Sequence, residues 1–116
     1  MGIIMFPKWE LLFLPLQTTI TMRVLGVDIL NKLKTNHSDA RKQLDVWLQE
    51  AKDANWKKFA DISARYNSVD FISPDNVIFN IKGNSYRLWV HINYDLQLIV
   101  IEKAGTHEEY NHWNIK

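Results

Sequence analysis

The residues with the most chemistry stand close together near the end of the chain: Gly105-Thr106-His107-Glu108-Glu109-Tyr110. Imidazole exchanges protons near neutral pH, and a phenol can pass on a proton as well. A histidine and a tyrosine three residues apart share a side if the backbone between them is helical. Thr106-His107-Glu108-Glu109 also has the form of a capping box. In that motif Thr106 accepts from the Glu109 amide and Glu109 reaches back to the Thr106 amide. The spacing therefore predicts a helix beginning at His107. A helix start gathers unpaired amides, which favour a phosphate, and it favours the neutral imidazole that can serve as a base. The remaining candidates lie on a predicted hairpin. Asn80, Lys82, Arg87, Trp89, His91 and Asn93 fall on one of its sides, a basic and aromatic surface with no acid among these residues. An arginine there can hold a phosphate through two parallel hydrogen bonds.

The elements that must position these residues follow from periodicity. "MRVLG" (22–26) reads as a short opening strand, and "DILNKLKT" (28–35) as a helix with Asp28 at its N-cap. Ser38 is expected to cap a stronger helix running to about Ala54, with Ala40, Leu44, Trp47, Leu48 and Ala51 on one face. A short third helix is expected over Lys57–Arg65. After Pro74-Asp75 the apolar period switches to alternation. Val77, Phe79 and Ile81 share a face, Gly83-Asn84 is the turn, and Tyr86, Leu88, Val90 and Ile92 answer on the next strand. In this register Ile81 faces Tyr86, Phe79 faces Leu88 and Val77 faces Val90, so every large apolar residue lands on one side. Asn80 then faces Arg87. Leu98–Lys103 is apolar on both sides, as a central strand requires. The fold class is α+β: two to three helices packed on an antiparallel sheet.

Length and composition bound the rest. The 116 residues make one domain, with a net charge of only +1 and no cysteine. No disulfide, thiolate nucleophile or cysteine-ligated metal can exist, and the composition suits a reducing cytoplasm. Residues 1–21 are apolar but interrupted by Pro7, Lys8, Glu10 and Pro15, which fits neither a secretory signal nor a membrane span. They are expected to be an extension preceding a domain over residues 22–116.

Three blocks carry a resemblance: "NWKKFADISARYNSVDFI" (55–72), "VIFNIKGNSYRLWVHINY" (77–94) and "GTHEEY" (105–110). Together, in this order and spacing, they resemble the HigB family of bacterial toxin–antitoxin toxins, over residues 22 to about 113. The resemblance implies a RelE-like fold and an endoribonuclease that cleaves mRNA during translation on the ribosome. It also implies a HigA-like antitoxin partner with a helix-turn-helix domain. The family usually begins at the position of Met22, so residues 1–21 have no counterpart. Basic residues are common at the start of its first helix, where this chain has Asp28 instead.

Cleavage of this kind needs a base for the 2′-hydroxyl proton, a cation for the phosphate charge and an acid for the leaving 5′-oxygen. His107 and Tyr110 are expected to handle the protons, with either in either role, and Arg87 and Lys82 the charge. Lys82, Asn80, Asn84, Lys57, Lys58 and His91 are the expected RNA contacts. Asp70 is expected to cap a loop, and His112 and Trp113 to pack at the terminus or meet the antitoxin. No cofactor or metal is expected, because His107 and His112 fall on different sides of a helix. The alternative is a decayed toxin of the same fold that binds its antitoxin without cleaving. A small-molecule hydrolase is disfavoured by the lack of an activated nucleophile motif.

Overall fold

The structure, a computed structural model, describes residues 21–115. The expected extension therefore lies outside the described residues except for Thr21. Five strands form one sheet in the order β1-β5-β4-β3-β2. These are β1 (Arg23–Leu25), β2 (Val69–Ser73), β3 (Asn76–Ile81), β4 (Tyr86–Asn93) and β5 (Leu98–Thr106). The helices are α1 (Val27–Asn36), α2 (Arg41–Asp53), α3 (Phe59–Arg65) and the single turn α4 (His107–Tyr110). The class is α+β, as expected, and the arrangement is consistent with a RelE-like fold.

The alternation predicted for the hairpin is the one observed. Val77 pairs with Val90, Phe79 with Leu88, Asn80 with Arg87 and Ile81 with Tyr86. The turn spans residues 82–85, closed by the Ser85 amide donating to the Lys82 carbonyl at 3.1 Å. Lys82 (φ 54°) and Gly83 (φ 63°) both take the left-handed backbone region. The aligned apolar residues of β3 and β4 meet Ile99 and Ile101 of β5, Leu30 and Leu33 of α1, Leu44, Trp47 and Ala51 of α2, and Ile62 of α3 in one core. Phe79 stands at its centre, with Trp47, Trp56 and Tyr66 at ring separations of 5.4, 5.9 and 5.0 Å. Tyr66 also donates to Glu50 at 2.7 Å, which ties the end of α3 to α2. Burial, and then that bond to a carboxylate, push the Tyr66 phenol well above its ordinary range.

Several sequence expectations are corrected. The sheet is mixed, because β1 pairs with β5 in parallel. A three-residue strand has no periodicity from which its direction could be read. β2 was not expected, and Asp70, placed in a loop by its sequence, lies inside it opposite Ile78. β2 is an edge strand with Asp70, Phe71 and Ile72 all exposed, so it lacks the alternation that marks a half-buried strand. Neither helix is capped as expected. α1 starts one residue before Asp28, after Gly26 in the left-handed region (φ 89°). A Cβ on Gly26 would lie 2.8 Å from the Ile101 carbonyl oxygen, so the corner between β1 and α1 depends on glycine. Ser38 sits within a 3₁₀ turn, Ser38–Ala40, that leads into α2 without a side-chain cap. α3 begins at Phe59 rather than Lys57, and β5 runs three residues further than expected, to Thr106. Among the described residues no helix is long and apolar enough to cross a membrane.

Candidate active site

α1, α2 and α3 cover one face of the sheet, and the candidate site lies on the other, at the end where β4 begins and β5 finishes. Both halves of the predicted capping box are present. Glu109 N–H donates to Thr106 Oγ1 at 3.1 Å, and Thr106 N–H donates to Glu109 Oε1 at 2.8 Å. The His107 amide donates to the Ser85 carbonyl at 3.0 Å, which pins the start of α4 to the β3–β4 turn. Gly105 pairs with Arg87 across the strands. A Cβ at Gly105 would fall 2.5 Å from Glu109 Oε1 and 3.2 Å from the Trp113 ring. Its missing side chain is thus what lets α4 and the following turn fold back over β5 beside Arg87. His107 and Tyr110 then stand side by side, their rings 6.5 Å apart and 23° from parallel. Trp113 meets the Tyr110 ring edge-on at 5.5 Å.

Arg87 is the unusual residue. It is only 8% exposed, and its guanidinium carbon lies 5.3 Å from the centre of the Tyr110 ring. It donates from Nη1 to the Asn84 carbonyl at 3.2 Å, while Nε is buried without a partner. Among the described residues no carboxylate pairs with it. Buried charges are normally paired, because leaving one unpaired is costly. A guanidinium stacked on a ring, held by one carbonyl and otherwise uncommitted has donors left for an anion.

The structure brings Arg87, His107, Tyr110 and the Asn84 carbonyl together, with Asn80 beside them. Asn80 donates to the Ser68 carbonyl at 3.1 Å and to Ser68 Oγ at 2.5 Å, and its Oδ1 is buried without a partner. The other expected contacts lie elsewhere. Lys82 donates to Asp39 at 2.9 Å, and Asp39 also accepts from the core residue Tyr86 at 2.6 Å. The Lys82 ammonium is therefore drawn to the 3₁₀ turn before α2 and is not grouped with Arg87. Lys57 and Lys58 are exposed at the start of α3, next to Trp56, whose carbonyl accepts from Gln97 in the β4–β5 turn. That turn is at the far end of β4 from Arg87. His91 is on the same face as Arg87 but four residues along β4, about 13 Å away by strand rise. It lies 3.6 Å from Asp75. The face is also less uniformly basic than expected, because β2 brings Asp70 onto it opposite Ile78.

An antiparallel strand running back beside β4 is expected from the sequence to bring Gly105-Thr106 near Asn80 and Arg87, and it does. That the missing side chain of Gly105 makes room for α4, and that Asp39 takes Lys82, is not legible in the sequence. No local pattern ties Asp39 to Lys82. A cleft of about 730 Å³ lies beside the candidate site, between α1, β5 and the terminal turn. It is lined by Lys32, His37, Lys103 and Trp113 among others, but not by Arg87, His107 or Tyr110.

The chain finds no match among curated proteins. A family model for HigB toxin, the RelE-like toxic component of a toxin–antitoxin system, matches residues 40–113. The match contains α2, α3, the four antiparallel strands and all three residues of the candidate site. The chain belongs to the HigB family of RelE-like toxins of toxin–antitoxin systems.

Proposed function

We propose that this toxin is an endoribonuclease that cleaves mRNA without a metal ion, acting on messages being translated on the ribosome. The observation that carries the reading is Arg87: nearly buried, unpaired with any described carboxylate, and set against His107 and Tyr110, two neighbouring side chains able to trade protons. The 2′-hydroxyl loses its proton to a base and attacks the adjacent phosphorus. The bond to the 5′-oxygen breaks, and an acid protonates that oxygen, leaving a 2′,3′-cyclic phosphate and a 5′-hydroxyl. His107 and Tyr110 divide the acid and base roles. Arg87 steadies the charge that builds on the phosphate oxygens, which matters most in a water-poor site. The one-turn α4 supplies only a weak dipole, so the arginine carries most of that stabilisation.

Family membership implies an antitoxin partner. We take it to be HigA-like, with a helix-turn-helix domain, and the toxin to act in the cytoplasm, where its message, its partner and a cysteine-free chain belong together.

The test is single-turnover cleavage of mRNA on programmed ribosomes, beside thermal melts of the same proteins. His107→Ala is expected to lower the rate by about 10²–10⁴-fold, the usual worth of a positioned acid or base, with an unchanged melting temperature. Tyr110→Phe removes one hydroxyl and is expected to fall between wild type and His107→Ala. A His107→Ala protein that cleaves like wild type ends the catalytic reading and leaves a toxin that acts by binding.

A further inference from the structure

Two residues along β4 from Arg87, on the same face, stands Trp89. It pairs with Ile78 on β3 and with Lys103 on β5. We propose that Trp89 is the floor of a nucleobase-binding subsite, with Lys103 at its edge, where the base beside the phosphate held by Arg87 stacks. The inference rests on the ribonuclease reading and adds to it a residue that selects the RNA.

Three observations support it. The first is orientation. The Trp89 indole N–H donates to Asn76 Oδ1 at 2.9 Å, and the Asn76 amide donates in turn to Ser73 Oγ at 3.1 Å. Asn76 pairs with His91, so it is diagonal to Trp89 rather than opposite it. The ring must therefore lean from β4 across β3 to reach it. Ile78, directly opposite Trp89 and pointing away from the helices, is completely buried. An indole lying along the sheet, fixed at its nitrogen, presents a π-face and no free donor. Such a surface stacks any base, and it discriminates by stacking strength rather than by hydrogen bonds.

The second observation is distance. Residues two apart on a strand are about 7 Å apart, so a base on Trp89 and a phosphate on Arg87 suit neighbouring groups of one extended RNA strand. The third is charge. The row across the sheet reads Asp70, Ile78, Trp89, Lys103. Asp70 and Lys103 are both exposed, and among the described residues no carboxylate pairs with Lys103. A polyanion is repelled at the β2 edge and attracted at β5. The strand therefore runs over β4 towards Lys103 on β5, short of the neighbouring cleft, whose lining sets Asp28, Glu102 and Glu109 against Lys32 and Lys103.

The experiment compares wild type, Trp89→Phe and Trp89→Leu as full chains. It measures binding of a short RNA whose 2′-hydroxyls are methylated, so that it cannot be cut. It also maps the base preference of cleavage on ribosomes and records melts. Trp89→Leu is expected to weaken binding by about 5- to 150-fold, the worth of one stacked base, and to flatten the preference next to the cut. Trp89→Phe is expected to keep most of both. Two results overturn the subsite. One is unchanged binding and base preference in Trp89→Leu while the wild type cleaves. The other is equal weakening by both variants in step with a lowered melting temperature, which makes Trp89 only a cover for Ile78. A wild type that neither binds the RNA nor cleaves brings down the ribonuclease reading together with the subsite.

Discussion

Arg87 combines two properties that pull in opposite directions. Its burial without a carboxylate is a cost to the fold, while the same uncommitted donors are what a phosphate requires. Stability and activity should therefore separate on substitution. Arg87→Met keeps an unbranched stem and removes the charge. It is expected to leave the melting temperature unchanged or raise it, while cleavage falls by at least about 10²-fold, the loss typical of one removed oxyanion donor. Calorimetry beside the ribosomal assay decides. A sharply lowered melting temperature makes Arg87 a structural residue and removes the cation from the mechanism. Thr106 and Glu109 show the converse case. The capping box is structural, yet it serves the site by fixing where His107 and Tyr110 stand.

The hairpin of β3 and β4 is tied to the helical layer through Asp39, which accepts from Lys82 and Tyr86. Hydrogen bonding from Lys82 first, then from Tyr86, holds the Asp39 carboxyl below its ordinary value of 3.8. The same bond to Asp39 pushes the Tyr86 phenol up. An acid depressed in the folded state stabilises it above the unfolded-state pKa, and that contribution disappears as pH falls through the lower folded-state value. Asp39→Asn is thus expected to melt below wild type by a constant margin from neutral pH down to about pH 5. The margin should close as the solution is made more acid. Melting curves across that range check it, and a margin that persists at the acid end shows that the carboxylate charge is not what ties the hairpin down. The same two strands were readable residue by residue, because the alternation of Val77, Phe79 and Ile81 against Tyr86, Leu88 and Val90 permits one register. β2, beside them, was not, because an edge strand with Asp70, Phe71 and Ile72 all exposed keeps no alternation.

At the scale of the molecule, one aromatic cluster joins all the layers. Phe79 brings the sheet against Trp47 of α2, Trp56 in the connection before α3, and Tyr66 at the end of α3. Emptying that position leaves a cavity that three separate segments cannot close together. Phe79→Ala is expected to cost about 3–5 kcal/mol, a large share of the 5–15 kcal/mol that holds a typical domain folded. The melting temperature should drop by about 15 °C or more. Denaturant unfolding measures it, and a loss under about 1 kcal/mol shows that the cluster is not the core's keystone.

The sequence by itself determined what neighbouring residues decide among themselves: the helical stripe of α2, the register of β3 with β4, and the capping box from Thr106 to Glu109. It also determined, through three spaced blocks, the family to which the chain belongs. Each of these is written in intervals of two to four residues, over which backbone geometry dictates which side chains share a face. The tertiary structure alone decided the parallel pairing of β1, the existence of β2, the fold-back of α4 over Gly105, and the partners of the two hairpin cations. Lys82 is drawn to a carboxylate 43 residues away in sequence, while Arg87 is left unpaired among the described residues. No local pattern distinguishes two basic residues on one hairpin. What separates them is which charged group the packed helices bring within reach, and that is a property of the assembled chain.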